Sequence, residues 1–125
     1  MRLFLVRHAH SDPAEPDELR PLSEKGREQA RALGERLPEP DAILTSPLLR
    51  ARETADLIGR ASGVEAEVDE RLAPGATAAG VREAVAGRGE TVVVVAHQPD
   101  CGTIAVDLGA GEVAFPPAGH CVAEL

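Results

Sequence analysis

The stretch "TVVVVAH", residues 91–97, decides the fold. Four consecutive valines after a threonine make a β-branched run with no polar alternation. A strand apolar on both faces belongs in the middle of a sheet that is covered on both sides, and this is the habit of parallel sheets. Outward from it lie "RLFLVRH" (2–8), "DAILTS" (41–46) and "HCVAEL" (120–125), which read as further strands, and "VEAEVD" (64–69), which alternates as an edge strand does. Helical patterns separate them. Ser23 fits the N-cap of a helix over 24–37 with Ala30, Leu33 and Leu37 on one face. Ser46 and Pro47 fit the N-cap and first helical position of a second, with an apolar stripe of Leu48, Ala51, Ala55 and Ile58 and a stop at Gly63. A weaker third covers 78–87, and a short fourth runs from Pro99 to Leu108. Residues 9–22 and 109–119, rich in Pro and acids or in Pro and Gly, read as loops, and the first is expected to be mobile. The alternation of strands and helices predicts an α/β fold: a three-layer α/β/α sandwich around a central, mostly parallel sheet.

Length and composition bound the rest. A chain of 125 residues is expected to form a single domain, 1–125, with a sizeable core. That core must be aliphatic, because there are two Phe and neither Trp nor Tyr; a base-stacking surface for single-stranded nucleic acid is correspondingly disfavoured. A formal net charge of −8 argues against nucleic-acid and anionic-membrane partners. The cations are twelve Arg against one Lys. A GC-rich coding sequence explains most of that bias, but Arg is also the residue for bidentate phosphate contacts, so position must decide. Cys101 and Cys121 show no Cys-x-x-Cys spacing and read as small buried residues. The apolar run Leu3–Val6 is too short for a signal peptide or a membrane span, so a cytoplasmic, monomeric protein is expected.

In open α/β sheets, ligands bind beyond the carboxyl ends of the strands. The first strand ends at Arg7-His8, the second at Ser46-Pro47 with Arg50 soon after, and the valine run ends at His97. Two Arg and two His thus converge on one edge of an acidic protein, beside a helix N-terminus, which is a site for an anion and above all for phosphate. Fixed guanidinium and imidazole donors match the charge of a phosphoryl group in transfer, and a neutral imidazole can attack phosphorus to give a phosphohistidine.

The motifs "RHA" at 7–9, "RPLSEKG" at 20–26, "SPLLRARETA" at 46–55 and "VVAHQP" at 94–99 occur in the order found in the histidine phosphatase superfamily, the phosphoglycerate-mutase-like fold. Each motif alone is weak; four in order over nearly the whole chain are strong. The chain most resembles the short SixA-type phosphohistidine phosphatases. The resemblance implies that His8 is the nucleophile, that Arg7 and Arg50 bind the phosphoryl oxygens, that His97 is the second pocket histidine, and that Arg20 sits at the rim. Ser46 is a further phosphate donor on this reading, if it is not simply a helix cap. No cofactor or metal is implied.

Two departures stand out. Ala9 replaces the usual Gly, which would permit a tighter turn. Superfamily members that cleave phosphate esters carry a glutamate general acid after an "RL" pair, whereas "ERLAPG" (70–75) has Ala73 and Pro74 there. An alkoxide leaving group needs such a proton far more than an activated phosphoramidate does. The expectation is therefore a metal-independent phosphohistidine phosphatase acting on a phosphorylated protein such as a histidine-phosphotransfer domain. The alternative is a phosphatase for small phosphorylated metabolites. Glu70, Asp100 and His10 are candidate proton donors by proximity only, and His10 and His120 otherwise read as surface or supporting residues. A metal hydrolase is the outside reading, because "HAHSD" (8–12) resembles the start of the metallo-β-lactamase pattern, but Pro13 stands where the next His belongs. A phosphate-binding module without turnover is the third class.

Overall fold

A computed structural model describes residues 1–125. Five strands form one sheet: β1 (Arg2–Arg7), β2 (Ala42–Thr45), β3 (Ala66–Val68), β4 (Thr91–Ala96) and β5 (His120–Glu124), in the order β3-β2-β4-β1-β5. The valine run is the central strand. β4 pairs in parallel with β1 and β2, and β2 with β3; only β5, against β1, is antiparallel. Val92 and Val94 face one core with Leu3, Leu5 and Leu44, whereas Val93 and Val95 face the other with Phe4, Val6 and Ile43. That division is why β4 shows no polar alternation.

Helices cover both faces. α1 (Glu24–Arg36) and α2 (Leu49–Ser62) pack Ala30, Leu33, Ala51, Ala55 and Ile58 on one side. α3 (Ala78–Val85) and α4 (Asp100–Asp107) pack Val81, Val85, Cys101 and Ile104 on the other. The chain is a three-layer α/β/α sandwich. No helix is long and apolar enough to cross a membrane. Cys101 is buried and Cys121 half-buried, and both are free.

Two local expectations need correction. Ser23 does cap α1, accepting from the Gly26 N–H at 3.0 Å, but Ser46 does not cap α2. The cap position is Leu48, the helix begins at Leu49, and Pro47 lies outside it. The reason is competition for the Ser46 hydroxyl, which is held by His97 and takes the Leu48 N–H before the helix starts. Residues 9–22 are irregular but anchored: Ser11 bridges Leu22, the Asp12 N–H donates to the Pro21 carbonyl at 2.9 Å, and Asp17–Leu19 forms a 3-10 turn.

Candidate active site

Strands β1, β2 and β4 end side by side, and the chain leaves each at the same edge of the sheet. His8 is fixed immediately past β1. Its N–H donates to the Ala96 carbonyl at 3.0 Å, and its own carbonyl accepts from Ala118 at 3.2 Å. The next N–H, of Ala9, donates to Thr54 Oγ1 at 3.0 Å, and that hydroxyl donates to the Arg50 carbonyl at 2.8 Å. One threonine thus ties the His8–Ala9 segment to the first turn of α2. Ala9 causes no strain where a glycine was expected, since the one non-glycine residue with a positive φ is Ala118, at 61°.

These supports aim five side chains into one cleft of roughly 360 Å³: Arg7, His8, Arg20, Arg50 and His97, joined by Ala9, His10, Ser11, Pro74, Gln98 and Pro117. No carboxylate lines it. The His8 and His97 rings face each other with centroids 5.2 Å apart. Both are neutral at neutral pH. Burial pushes His8 down to about 4 against the opposing Ala9 hydrogen bond, with help from Arg50, Arg7 and Arg20. Burial likewise pushes His97 to about 4, helped by His8 and Arg50 and opposed by Asp17.

Hydrogen bonding fixes which nitrogens are free. His8 Nδ1 lies 2.8 Å from the Ala9 carbonyl, which can only accept, so Nδ1 carries the proton and Nε2 keeps its lone pair. His97 Nε2 lies 2.7 Å from Ser46 Oγ, and that oxygen also accepts the Leu48 N–H at 3.2 Å. The Ser46 hydroxyl hydrogen has no other acceptor, so it donates to Nε2 and leaves Nδ1–H as the donor on His97. Ser46 is fully buried and is not among the cleft residues; it reaches the cleft through His97.

The arginines are held by part of each fork. Arg7 Nη1 donates to the Phe115 carbonyl at 2.9 Å. Arg50 donates to the Asp17 carbonyl at 3.0 Å and to its carboxylate at 3.2 Å. Burial works to raise the Asp17 carboxyl, but Arg50 and Arg20 outweigh it and keep it below the usual range. The Nε atoms of Arg7 and Arg50 are the two buried side-chain polar atoms in the molecule without a hydrogen-bond partner. A buried donor left unpaired costs about 1–3 kcal/mol, and both of these belong to arginines that line the cleft with His8. Arg20 is anchored at the rim by Ser11 Oγ at 2.9 Å and the Asp12 carbonyl at 3.2 Å.

The structure thus brings Arg7, His8, Arg20, Arg50 and His97 together. Glu70 and Asp100 do not reach the cleft: Asp100 accepts the Gly75 N–H at 2.8 Å, and Glu70 starts a 3-10 turn. Pro74 is in the cleft wall, in the segment where a glutamate was sought. No three His, Cys, Asp or Glu side chains converge as metal ligands. Sequence reasoning passed over Thr54, whose signal was present in "RARETA", and Asp17, which has none because it meets Arg50 across 33 residues of chain.

Residues 3–74 match the model of the histidine phosphatase superfamily (branch 1). An uncharacterised protein of Picosynechococcus is 36% identical, over 96% of this chain and 77% of its own. Among solved structures, the protein histidine phosphatase SixA, complexed with tungstate, superposes with a TM-score of 0.89 at 26% identity, covering 100% of this chain and 88% of that one. The SixA protein of Agrobacterium tumefaciens gives 0.78 at 29%, covering 97% and 88%. The chain therefore belongs to the histidine phosphatase superfamily, in its SixA-type branch, and is a phosphatase by that membership.

Proposed function

We propose that the protein is a metal-independent phosphohistidine phosphatase that works through a covalent phosphohistidine on His8. One observation carries this reading: two neutral histidines and two arginines with unpaired Nε–H groups share a cleft that no carboxylate lines. His8 Nε2 attacks phosphorus in line. Arg7, Arg50 and the His97 Nδ1–H hold the equatorial oxygens, and Arg20 assists at the rim. Water then releases inorganic phosphate from His8. Arginines and a neutral imidazole donor supply the charge stabilisation that a metal would otherwise give.

What the wall lacks supports this substrate class. Cleaving a phosphate ester expels an alkoxide, which calls for a strong acid at the bridging oxygen, and the wall offers Pro74. A phosphoramidate bond is already activated. The neighbour solved with tungstate, a tetrahedral oxyanion, is named a protein histidine phosphatase, which supports a phosphorylated protein as substrate here, for instance a histidine-phosphotransfer domain.

The test is phosphate release from phosphoramidate and from a phosphohistidine-bearing protein in excess EDTA, for wild type and His8→Ala. Release that survives EDTA and falls to background in His8→Ala is expected. Release abolished by EDTA and restored by zinc would overturn the mechanism. Equal turnover of simple alkyl phosphates would favour the small-metabolite reading.

A further inference from the structure

We propose that His10 is the acid of this site, and that it protonates the leaving imidazole of a phosphohistidine substrate. This rests on the phosphohistidine reading above and goes beyond it.

The argument is first one of elimination. Departure of an imidazole from phosphorus needs a proton, and the cleft residues offer few sources. The arginines keep theirs. His8 and His97 are neutral, and their bonds to Ala9 and Ser46 commit one nitrogen each. The nearby carboxylates are bound elsewhere, Asp17 by Arg50 and Arg20, Asp100 by the Gly75 N–H, and none lines the cleft. Among the lining side chains, His10 is the remaining imidazole.

Its anchoring is specific. His10 Nδ1 lies 2.6 Å from Ser23 Oγ. That oxygen also accepts the Gly26 N–H at 3.0 Å and donates to the His10 carbonyl at 3.3 Å. The hydroxyl holds Nδ1 in place, and Nε2 has no hydrogen-bond partner in the protein. The His10 N–H is held in turn by Gln29 Oε1 at 3.0 Å. The charged groups sharing the cleft are Arg7, Arg20 and Arg50, and the groups that α1 turns to His10, Ser23 and Gln29, are neutral.

Location fits this leaving group better than an ester. An ester takes its proton on the oxygen bonded to phosphorus. A phosphoimidazole takes it on the other ring nitrogen, farther from phosphorus and nearer the mouth, and His10 is an exposed residue of the cleft. In the step, His8 Nε2 forms the new P–N bond. The substrate P–N bond breaks and its electron pair returns to the substrate ring. The proton leaves His10 Nε2 for the far ring nitrogen, so neutral histidine departs. His10 takes its next proton from solvent.

The experiment is rapid-quench measurement of phosphoryl transfer onto His8 from two donors: phosphoimidazole, and p-nitrophenyl phosphate, whose leaving group departs as an anion without a proton. The variant is His10→Asn, whose amide keeps a donor toward Ser23 but removes Nε2. Transfer from phosphoimidazole is expected to slow by roughly 10²-fold, with transfer from p-nitrophenyl phosphate within about threefold of wild type. Equal slowing with both donors would make His10 a positioning residue and overturn the proposal, as would no slowing with either. A wild type that is labelled by neither donor sinks the phosphohistidine reading and this proposal with it. That result is distinct from a labelled wild type with an unaffected variant.

Discussion

The Ser46 hydroxyl selects the tautomer of His97. Donating to Nε2 at 2.7 Å, it leaves Nδ1 as the protonated nitrogen, the donor that the proposed mechanism assigns to a phosphoryl oxygen. Ser46→Ala removes that lock and leaves the buried Leu48 N–H and His97 Nε2 without partners. A loss of about 1–3 kcal/mol in unfolding free energy is expected from the unpaired groups. A fall in kcat of roughly twofold to tenfold should accompany it, corresponding to about half to about nine-tenths of the His97 rings in the repulsive tautomer. Urea denaturation and single-turnover rates check the two effects separately; unchanged kcat with reduced stability would confine Ser46 to a structural role. This residue also shows where the sequence misleads. A Ser-Pro pair before an apolar stripe has every mark of a helix start. Nothing local reveals that a histidine 51 residues away claims the hydroxyl first. His8, Arg7 and His97 were legible because strand ends announce themselves, and Arg50 because it opens a helix beside them.

Among the elements, the approach of α1 to the His8–His10 segment explains the glycine of "RPLSEKG". A Cβ on Gly26 would land on the His10 carbonyl oxygen, the atom that also receives the Ser23 N–H at 3.0 Å. Helix propensity alone would favour alanine at this position. Gly26→Ala must instead displace α1 or the backbone of His10, and overpacking of this kind costs about 1–3 kcal/mol. The expected outcome is a lower urea midpoint together with impaired phosphoryl transfer. Gly34→Ala, further along the same helix, meets Ile58 backbone no closer than 3.1 Å and should cost less. If Gly26→Ala matches wild type in both respects, the close approach is not a constraint. Element identities were largely readable, because the strands and most of the helices are short and patterned, and α1 and α3 start at side-chain caps, Ser23 and Thr77. The antiparallel pairing of β5 and the anchoring of residues 9–22 were not, since both depend on partners distant in sequence.

For the whole molecule, the site exacts a pH-dependent cost in stability. His8 and His97 titrate at about 4 in the folded protein, against an ordinary value of 6.5 that the unfolded chain recovers. Between those values the unfolded state binds more protons, so unfolding becomes easier as pH falls from 6.5 toward 4. Above 6.5 both states are neutral and these groups give no slope. His120, lowered by burial and then by Arg36, acts in the same direction. Asp17 and Asp69, both lowered by arginine partners despite some desolvation, hold their stabilisation until pH falls below the ordinary carboxyl value of 3.8. The interval between about 4 and 6.5 therefore isolates the histidines. The urea midpoint should be lower near pH 5 than near pH 7, and most of that difference should vanish in a His8→Asn, His97→Asn double variant, leaving the share due to His120. A double variant with the full wild-type slope would mean that the two imidazoles are not held neutral by burial. It would then also remove the reason for assigning His8 Nε2 a free lone pair at neutral pH.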